Sequence, residues 1–401
     1  MKEEIRWISN HYVCDDYEKA AVFGHQVTNT VLNYHRSFPS YQATPLANLR
    51  DTAQFMGLKG LYVKDESFRF GLNAFKSLGG SFCIGKIIAQ HLGRDISEMN
   101  YETLIDSKTR LALGNLTFVT ATDGNHGRGI AWTAHMLGQK AVVYMPKGSV
   151  RERLENIRAL GAQAEITDLS YDEAVQFAAK CQKEHGWILV QDTAWPGYEE
   201  IPRWIMQGYT TMALEALQQL GENQKPTHIF LQAGVGAMAG ALVGFFTDYY
   251  KSDRPILTIV EPHQANCIFR TAQAGDGQLH SIDGNLNTIM AGLACGTPCT
   301  IGWEQLEHFA DYFLSVPDEI AAKGMRILGN PIGEDPRVIS GESGAVTTGL
   351  VAEIMQNPQL ADLRQQLRLD ENSILLCFST EGDTDRDNYR KIVWDGKYPL
   401  L

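Results

Sequence analysis

The sequence contains no C-x-x-C pair and no cysteine–histidine spacing of the kind that binds zinc. Its seven cysteines are scattered along 401 residues: Cys14, Cys83, Cys181, Cys267, Cys295, Cys299 and Cys377. An odd number of thiols without a secretory segment is typical of a reducing compartment, where cysteines are mostly buried and inert. A zinc site needs a second cysteine or histidine pair at matching spacing. We therefore expect mostly buried, inert thiols and no metal site.

The chain also lacks a dense stripe of lysine and arginine, and its formal net charge is −12. Domains that bind nucleic acid carry clustered basic residues, so this charge argues against a nucleic-acid partner. The first residues, MKEEIRWISNHYVC, mix charges with single apolar residues and contain no apolar core of a signal peptide. We expect a cytoplasmic protein.

One stretch, residues 229–246 (IFLQAGVGAMAGALVGFF), is nearly uncharged and long enough to be mistaken for a membrane span. It contains four glycines and the polar Gln232. We predict instead a buried strand, a glycine loop and a buried helix, and no membrane partner.

The remaining composition is that of a soluble globular enzyme, with 44% hydrophobic and 20% charged residues. From about residue 115, short apolar runs, uncharged through their centres, alternate with longer amphipathic ones; the short runs include LTFVTAT, AVVYMP, AEIT, WILVQD, HIFLQAG and ILTIVEP. This alternation predicts parallel strands covered by helices on both faces, which is a doubly wound α/β architecture. No linker or repeat divides the chain, so we expect two α/β lobes that exchange segments.

Four loops follow predicted strands directly and carry glycine or polar residues. They are TDGNHG (residues 122–127), QDTAW with Asp192, GVGAMAG (residues 234–240) and STEGDTD (residues 379–385). Ligands of open α/β sheets collect at the carboxyl ends of the strands. We therefore expect the functional residues in these loops.

The glycine loop GVGAMAG has two interpretations. Backbone N–H groups of such a loop, together with the start of the next helix, bind phosphate. Gly234, Gly236 and Ala239 also fit the dinucleotide pattern, and Glu261 ends the next predicted strand where a ribose-binding acid would lie. The loop alone therefore leaves nicotinamide and other phosphate ligands open.

Lys76, in GLNAFKSLGGSF, favours a phosphate ligand other than a nicotinamide dinucleotide. A hydride-transfer enzyme needs no lysine framed by an aromatic ring and glycines, whereas pyridoxal 5′-phosphate needs both a phosphate site and a lysine amine. Asn125 could serve its phenolic oxygen, and Ser379 or Thr380 its ring nitrogen. Each residue alone is more often a surface or turn residue, but their occurrence together indicates a pyridoxal-phosphate enzyme.

The motifs NAFKSLGG, TDGNHG, GVGAMAG and FSTEGDTD resemble those of the fold-type II pyridoxal-phosphate enzymes. The longer runs PRWIMQGYTTM, IMAGLACG and RILGNPIGEDPRVISGESGAV resemble the diaminopropionate ammonia-lyases, over essentially the whole chain. The resemblance implies two doubly wound α/β lobes with the cofactor in the cleft between them. We expect a large cofactor-binding domain of residues 1–85 and 225–401 and a small domain of residues 86–224.

The resemblance also implies the site residues. Those expected to bind the cofactor are Lys76, Asn125, Gly234, Val235, Gly236, Ala237, Met238, Gly240, Ser379 and Thr380. Those expected to bind the substrate are Ser77, Thr122, Asp123, Gly124 and His126, with the backbone of this last loop holding a carboxylate. Glu261 becomes a structural acid or a partner of a basic residue.

Three residues are expected to be catalytic: Lys76, Asp123 and Asp192. The position of Asp123 matches a serine of serine racemase that acts as acid and base on one face of the cofactor. Burial raises the pKa of a carboxyl and makes it a better base near neutral pH. The structural alternatives are a turn residue for Asp123 and a helix cap or turn residue for Asp192.

The reaction implied by the resemblance is β-elimination of D- and L-2,3-diaminopropionate to pyruvate and two ammonia. A serine or threonine ammonia-lyase of the same fold and a nicotinamide oxidoreductase are the alternatives. We expect a homodimer acting on a small amino acid. Cys267 could pair with Cys295 or Cys299, and residues 194–204 (AWPGYEEIPRW) form either a lid or a packed connection.

Overall fold

The computed structural model describes residues 4–122, 124–221, 224–284 and 286–399. They form two compact units. Unit 1 contains the described residues up to His25, residues Ala43–Phe68 and the described residues from Met212 onward, and unit 2 contains Gln26–Gln42 and Arg69–Thr211.

The secondary structure alternates as predicted. The strands in chain order are β1 (Arg6–Ser9), β2 (Leu46–Asn48), β3 (Gly60–Asp65), β4 (Thr117–Ala121), β5 (Lys140–Met145), β6 (Gln163–Ile166), β7 (Ile188–Leu189), β8 (His228–Gln232), β9 (Ile256–Pro262), β10 (Tyr312–Val316) and β11 (Ile374–Ser379). The helices up to residue 220 are α1 (His25–Arg36), α2 (Arg50–Met56), α3 (Lys76–His91), α4 (Tyr101–Ile105), α5 (Ser107–Leu113), α6 (Asn125–Met136), α7 (Arg151–Arg158), α8 (Tyr171–His185) and α9 (Glu200–Leu220). Those that follow are α10 (Ala237–Tyr250), α11 (Cys267–Ala274), α12 (Thr300–Phe309), α13 (Asp318–Gly329), α14 (Glu342–Gln356), α15 (Ala361–Gln366) and α16 (Arg386–Val393).

Unit 1 is built on a seven-stranded sheet with the order β1-β10-β9-β8-β11-β3-β2. The five central strands are parallel, and the edge strands β1 and β2 pair antiparallel. Strand β8 is buried along its whole length, as are β3 and β11. Strands that are covered on both faces are typical of a parallel sheet. The carboxyl ends of β8 and β11 lie on one edge of the sheet and lead into the glycine loop and the Ser379 loop.

Unit 2 is built on a parallel four-stranded sheet with the order β6-β5-β4-β7. Its central strands β4 and β5 correspond to the predicted runs LTFVTAT and AVVYMP. The carboxyl ends of the neighbouring strands β4 and β7 lead into TDGNHG and QDTAW. The doubly wound α/β class is therefore confirmed in both units.

Residues 229–246 form strand β8, a loop and helix α10, as predicted. Among the described residues, no helix combines the length and the apolar character needed to cross a membrane.

The unit boundaries differ from the predicted domains of residues 1–85, 225–401 and 86–224. Residues 26–42 and 69–85 belong to unit 2, and residues 212–221 and 224 belong to unit 1. The reason is close helix packing, since a Cβ atom added to Gly129 of α6 would lie 3.0 Å from the Ser77 backbone of α3. Tyr34 of α1 likewise donates a hydrogen bond to Ser81 O of α3 at 2.9 Å. The pattern of apolar and polar residues does not reveal these contacts, so it could not predict the unit boundaries.

A buried ion pair stabilises unit 1. Lys64 of β3 lies 2.7 Å from the carboxylate of Glu215 of α9, and their side chains are 0% and 1% exposed. The ammonium also donates to Thr44 O at 2.7 Å and to Gln219 Oε1 at 2.9 Å. Three acceptors use all three ammonium hydrogens, so the buried charge is fully compensated.

Glu215→Gln should lower the free energy of unfolding by about 3–5 kcal/mol, because it leaves a buried ammonium without its counter-charge. The matched control is Glu98→Gln, which removes the partner of Arg94 in a pair whose side chains are 58% and 40% exposed. That change should cost less than about 1 kcal/mol. Urea unfolding of both variants measures the difference, and equal small losses would show that the buried pair contributes little.

Candidate active site

Lys76 is the first residue of helix α3, directly after Phe75. Its Nζ donates to Asp192 Oδ2 in a close ion pair, and the two side chains are 24% and 12% exposed. The rings of Phe75 and Tyr209 lie 5.5 and 5.9 Å from Nζ. An ammonium between two aromatic faces and one carboxylate is held in one position but keeps an exposed side.

The glycines that follow Lys76 bring other helices close to α3. A Cβ atom on Gly79 would lie 2.6 Å from Tyr209, and one on Gly80 would lie 3.1 Å from Ile130 of α6. Their small size therefore serves packing against α9 and α6, and this packing fixes the start of the helix that carries Lys76.

Asp192 is positioned by the two residues before it. Val190 N donates to Val119 O at 2.9 Å, which continues the pairing of β7 with β4. The side-chain amide of Gln191 accepts from Ala121 N at 3.1 Å and donates to Ala121 O at 3.0 Å. Because both residues are tied to β4, Asp192 emerges at a defined point beside the TDGNHG loop.

The charge state of Asp192 is set by its surroundings. Burial would raise the pKa of its carboxyl, but His126 and then Lys76 outweigh burial and lower the pKa to about 2. His126 Nδ1 lies 3.7 Å from Asp192 Oδ2. The carboxylate is therefore ionised throughout the physiological range.

The TDGNHG loop begins after β4 and ends in helix α6. Thr122 N donates to Tyr144 O, and Thr122 Oγ1 accepts from Gly124 N, both at 3.0 Å. Gly124 has a φ of 157°, and a Cβ atom there would lie 2.8 Å from the Arg153 side chain. Only glycine fits this position. Asn125 is the first residue of α6, and Asp123 lies outside the described residues.

Ser77 and His126 differ in what they can offer a substrate. The hydroxyl of Ser77 is buried and has no hydrogen-bond partner among the described residues, so it can bind a ligand group. The ring of His126 is 3% exposed, and its Nε2 lies 2.8 Å from Val190 O. The prediction that His126 binds substrate is therefore restricted to its backbone N–H, because its ring contacts the protein.

The glycine loop of unit 1 has the geometry of an anion site. Gly236 has a φ of 87° and precedes helix α10, which has no side-chain cap. The first turn of a helix has N–H groups without intrahelical partners, and they attract anions. A Cβ atom on Gly234 would lie 3.2 Å from Cys295 Sγ and from the Leu293 backbone, so there is little room for a side chain at this position either. The residues from Gly234 to Met238 thus fit a phosphate.

Gly240 has a different role from the predicted one. Its N–H donates within the helix to Gly236 O at 2.8 Å. A Cβ atom there would lie 2.6 Å from Gly302 O of helix α12. Gly240 therefore allows two helices to pack closely, and its backbone is not available to a phosphate.

Ser379 and Thr380 lie at the end of β11 and are both buried. Ser379 Oγ donates to Ser340 Oγ at 2.8 Å. Thr380 Oγ1 accepts from Gln232 Nε2 at 2.9 Å and so keeps its own hydrogen for another acceptor. Both hydroxyls remain candidates for the ring nitrogen.

Glu261 does not fit the role of a ribose-binding acid. The oxygens of its carboxyl group accept from Ile268 N at 2.9 Å and from Phe269 N at 2.6 Å, at the start of helix α11. Burial raises its pKa to about 8, against the lowering effect of these two hydrogen bonds. Glu261 is therefore a structural residue that organises α11, as the resemblance implied.

Each of the seven cysteines is a thiol and not half of a disulfide in the structure. Cys267 Sγ lies 3.7 Å from Gly234 O, and Cys295 lies beside the same glycine. Both thiols are therefore close to the glycine loop, and a disulfide between Cys267 and Cys295 or Cys299 stays a prediction.

The segment after Asp192 is well packed. The rings of Trp195 and Tyr198 stack with centroids 4.3 Å apart, and Trp195 and Tyr198 pair through two backbone hydrogen bonds. Tyr198 Oη accepts from Gln191 N at 2.9 Å and donates to Leu189 O at 3.0 Å. These contacts favour the packed connection over the lid.

Sequence reasoning missed several polar residues that support the site, notably Gln191, Gln232 and Ser340. Gln232 could have been recognised, because it is the polar residue in an apolar strand directly before the glycine loop. Glu342 was also missed and could not have been recognised from the sequence, because its burial and its proximity to Glu381 arise from tertiary packing. Burial, followed by the charge of Glu381, raises the pKa of Glu342 to about 7.

Comparison with known proteins agrees with this geometry. The family described as pyridoxal-phosphate dependent enzyme matches residues 38–368. The chain belongs to this family, and its cofactor is pyridoxal phosphate. The predicted resemblance and cofactor are therefore confirmed, and the nicotinamide alternative is not supported.

Within the family, the chain is similar to diaminopropionate ammonia-lyases. The enzyme of Salmonella typhimurium is 51% identical over 374 residues, which cover 92% of this chain and 93% of that protein. The holo crystal structure of the Escherichia coli enzyme has a TM-score of 0.93 at 44% identity and covers 100% of this chain and 99% of that chain. The Escherichia coli complex with D-serine has a TM-score of 0.92 at 45% identity, with 98% of each chain covered.

Gly236→Ala should weaken cofactor binding by about tenfold or more, because a left-handed non-glycine residue costs about 1–2 kcal/mol and displaces the loop. The added Cβ would lie 3.0 Å from Ile268 and 3.2 Å from Leu306. Gly57→Ala is the control, since Gly57 has a φ of 73° with no atom within 4 Å of the added Cβ. Fluorescence titration with pyridoxal phosphate measures both; equal affinities would contradict the phosphate assignment.

Lys76→Ala should abolish covalent attachment of the cofactor and reduce turnover by at least about 10²-fold. Lys86→Ala, on the same helix, should retain both. Borohydride reduction followed by peptide mapping locates the modified lysine. A pyridoxyl group on any lysine other than Lys76 would refute the assignment.

Proposed function

We propose that this protein is a diaminopropionate ammonia-lyase that converts D- and L-2,3-diaminopropionate and water to pyruvate and two ammonia. The main observation that supports this function is the Lys76–Asp192 ion pair, which places a potentially nucleophilic amine beside an ionised carboxylate. The similarity to ammonia-lyases over nearly the whole chain supports the choice of substrate.

Pyridoxal phosphate, when bound, supplies the electron sink that lets an amino acid lose its Cα proton and its β-substituent. Lys76 would hold its aldehyde carbon, Asn125 its phenolic oxygen, and the backbone from Gly234 to Met238 its phosphate. Ser379 or Thr380 would face its ring nitrogen. A hydroxyl is less able than a carboxylate to keep that nitrogen protonated, which suits prompt elimination.

The substrate carboxylate would be held by backbone N–H groups of the TDGNHG loop and by the hydroxyl of Ser77. Both lie in unit 2 with Lys76. Ser77 Oγ has no hydrogen-bond partner in the part of the chain that the structure describes, which supports this role, because a buried hydroxyl without a partner is costly unless a ligand uses it.

Asp192 and Asp123 would act as the bases for the two enantiomers. A base removes only the Cα proton that faces it, and the enantiomers present that proton to opposite faces. Asp192 is ionised and can accept a proton, although the adjacent ammonium of Lys76 weakens it as a base. Removal of that positive charge from Lys76 strengthens it.

The protein would act in the cytoplasm as a homodimer, and its substrate would be a small amino acid. The net charge of −12 and the scattered basic residues support the absence of a nucleic-acid partner. Light scattering tests the dimer.

Purified enzyme should release pyruvate from both isomers of diaminopropionate. Asp192→Asn should lower turnover of the L-isomer by about 10²- to 10⁴-fold and that of the D-isomer much less, because an amide keeps the shape but loses the base. Asp123→Asn should show the reverse, so each variant is the control for the other.

Pyruvate formation in a lactate-dehydrogenase-coupled assay measures these rates, with serine in the same panel; threonine is scored by release of its 2-oxo acid. Equal losses on both isomers would refute the assignment of one carboxylate to each isomer. Faster turnover of serine or threonine than of diaminopropionate would favour the alternative ammonia-lyases.

A further inference from the structure

The hydrogen-bond geometry of His126 determines which of its ring nitrogens carries a hydrogen. Nε2 lies 2.8 Å from Val190 O. A carbonyl oxygen can only accept, so Nε2 is protonated and donates. Nδ1 is then the nitrogen that faces Asp192 Oδ2, at 3.7 Å.

A neutral His126 would fit this arrangement poorly. With Nε2 protonated, the neutral ring has a lone pair on Nδ1, which would point toward a carboxylate oxygen. A second proton on Nδ1 replaces this repulsion with an attraction between opposite charges. The ring is 3% exposed, so water screens the interaction little.

Lys76 cannot supply a constant positive charge to Asp192. An amine must be neutral to act as a nucleophile, so the charge of Lys76 changes during any reaction that uses its nitrogen. His126 is fixed to Val190 O and takes no part in bond formation. His126 can therefore provide a positive charge next to Asp192 that does not change when the amine of Lys76 becomes neutral.

We propose that His126 is held as an imidazolium and keeps the carboxylate of Asp192 ionised while the amine of Lys76 is neutral. His126 is thus a positioning and charge-compensating residue, and it acts through Asp192 without touching the substrate by its ring. This assigns a role to the ring that is distinct from substrate binding.

The titratable groups of the neighbouring segments are compatible with a cation at His126. Lys76 reaches the site from α3, and Asp192 from the segment after β7. Tyr198, whose pKa is raised by burial, is neutral. Arg128, on the same helix, donates through Nη1 to Leu72 O at 3.0 Å. Among these groups Asp192 is the counter-ion available to the imidazolium.

The direct test is nitrogen NMR of cofactor-loaded protein with ¹⁵N-labelled histidine rings. The chain has 11 histidines, and the signals of His126 are those missing from His126→Gln, or from His126→Asn if the first variant does not fold. A histidine with an ordinary pKa of about 6.5 is neutral at pH 8, but at this pH both ring nitrogens of His126 should be protonated.

Two further variants separate this role from a structural one. In Asp192→Asn, His126 should become singly protonated at pH 8, because its counter-charge is gone. In Lys76→Ala it should stay doubly protonated. A neutral ring in the wild type, or an unchanged spectrum in Asp192→Asn, would overturn the proposal.

A kinetic measurement adds a second criterion and rests on the proposed function. His126→Gln should shift the acidic limb of the L-isomer kcat profile to higher pH by about 1 to 3 units, since a carboxylate that loses a nearby positive charge is protonated more easily. His135→Gln, at an exposed position of the same helix, should leave the profile unchanged. An unshifted profile in His126→Gln would overturn the proposal.

If diaminopropionate is not turned over at all, the proposed function fails, and the NMR result still decides the state of His126.

Discussion

Unit 2 is organised around the carboxylate of Asp192, which lies between the ammonium of Lys76 and the ring of His126. Its position depends on backbone and side-chain hydrogen bonds of Val190 and Gln191 to β4. Because these three side chains come from three separate segments, the sheet and the packing of α3 on α6 must form before this charge arrangement exists.

Unit 1 offers a different kind of recognition, in which backbone groups and hydroxyls replace charged side chains. The left-handed Gly236 allows a helix to start without a side-chain cap, and its N–H groups can then meet an anion. Gln232 connects this loop region to Thr380 at the end of β11. A phosphate can therefore be bound without a lysine or arginine from the loop.

Several buried ionisable groups of unit 1 serve structure. Lys64 and Glu215 neutralise each other, and Glu261 organises the start of α11 through two backbone N–H groups. Buried acidic side chains thus have different uses in the two units. What distinguishes Asp192 is a partner that is a nucleophile, whereas Glu261 binds backbone donors.

The local sequence pattern was sufficient to predict most of the strands, the loops that carry the expected site residues, and the family. Apolar runs predicted β4 to β9, and the loops after β4, β7, β8 and β11 contained the expected site residues other than Lys76 and Ser77; longer motifs indicated the family. The edge strands, the unit boundaries and the roles of Gly79, Gly240 and His126 were decided only by tertiary structure. They depend on contacts between residues far apart in the chain, such as Gly240 with Gly302 and His126 with Val190 O. A periodic pattern records which residues are buried and not which partners they meet, so charge states and close helix contacts emerge only when the chain is folded.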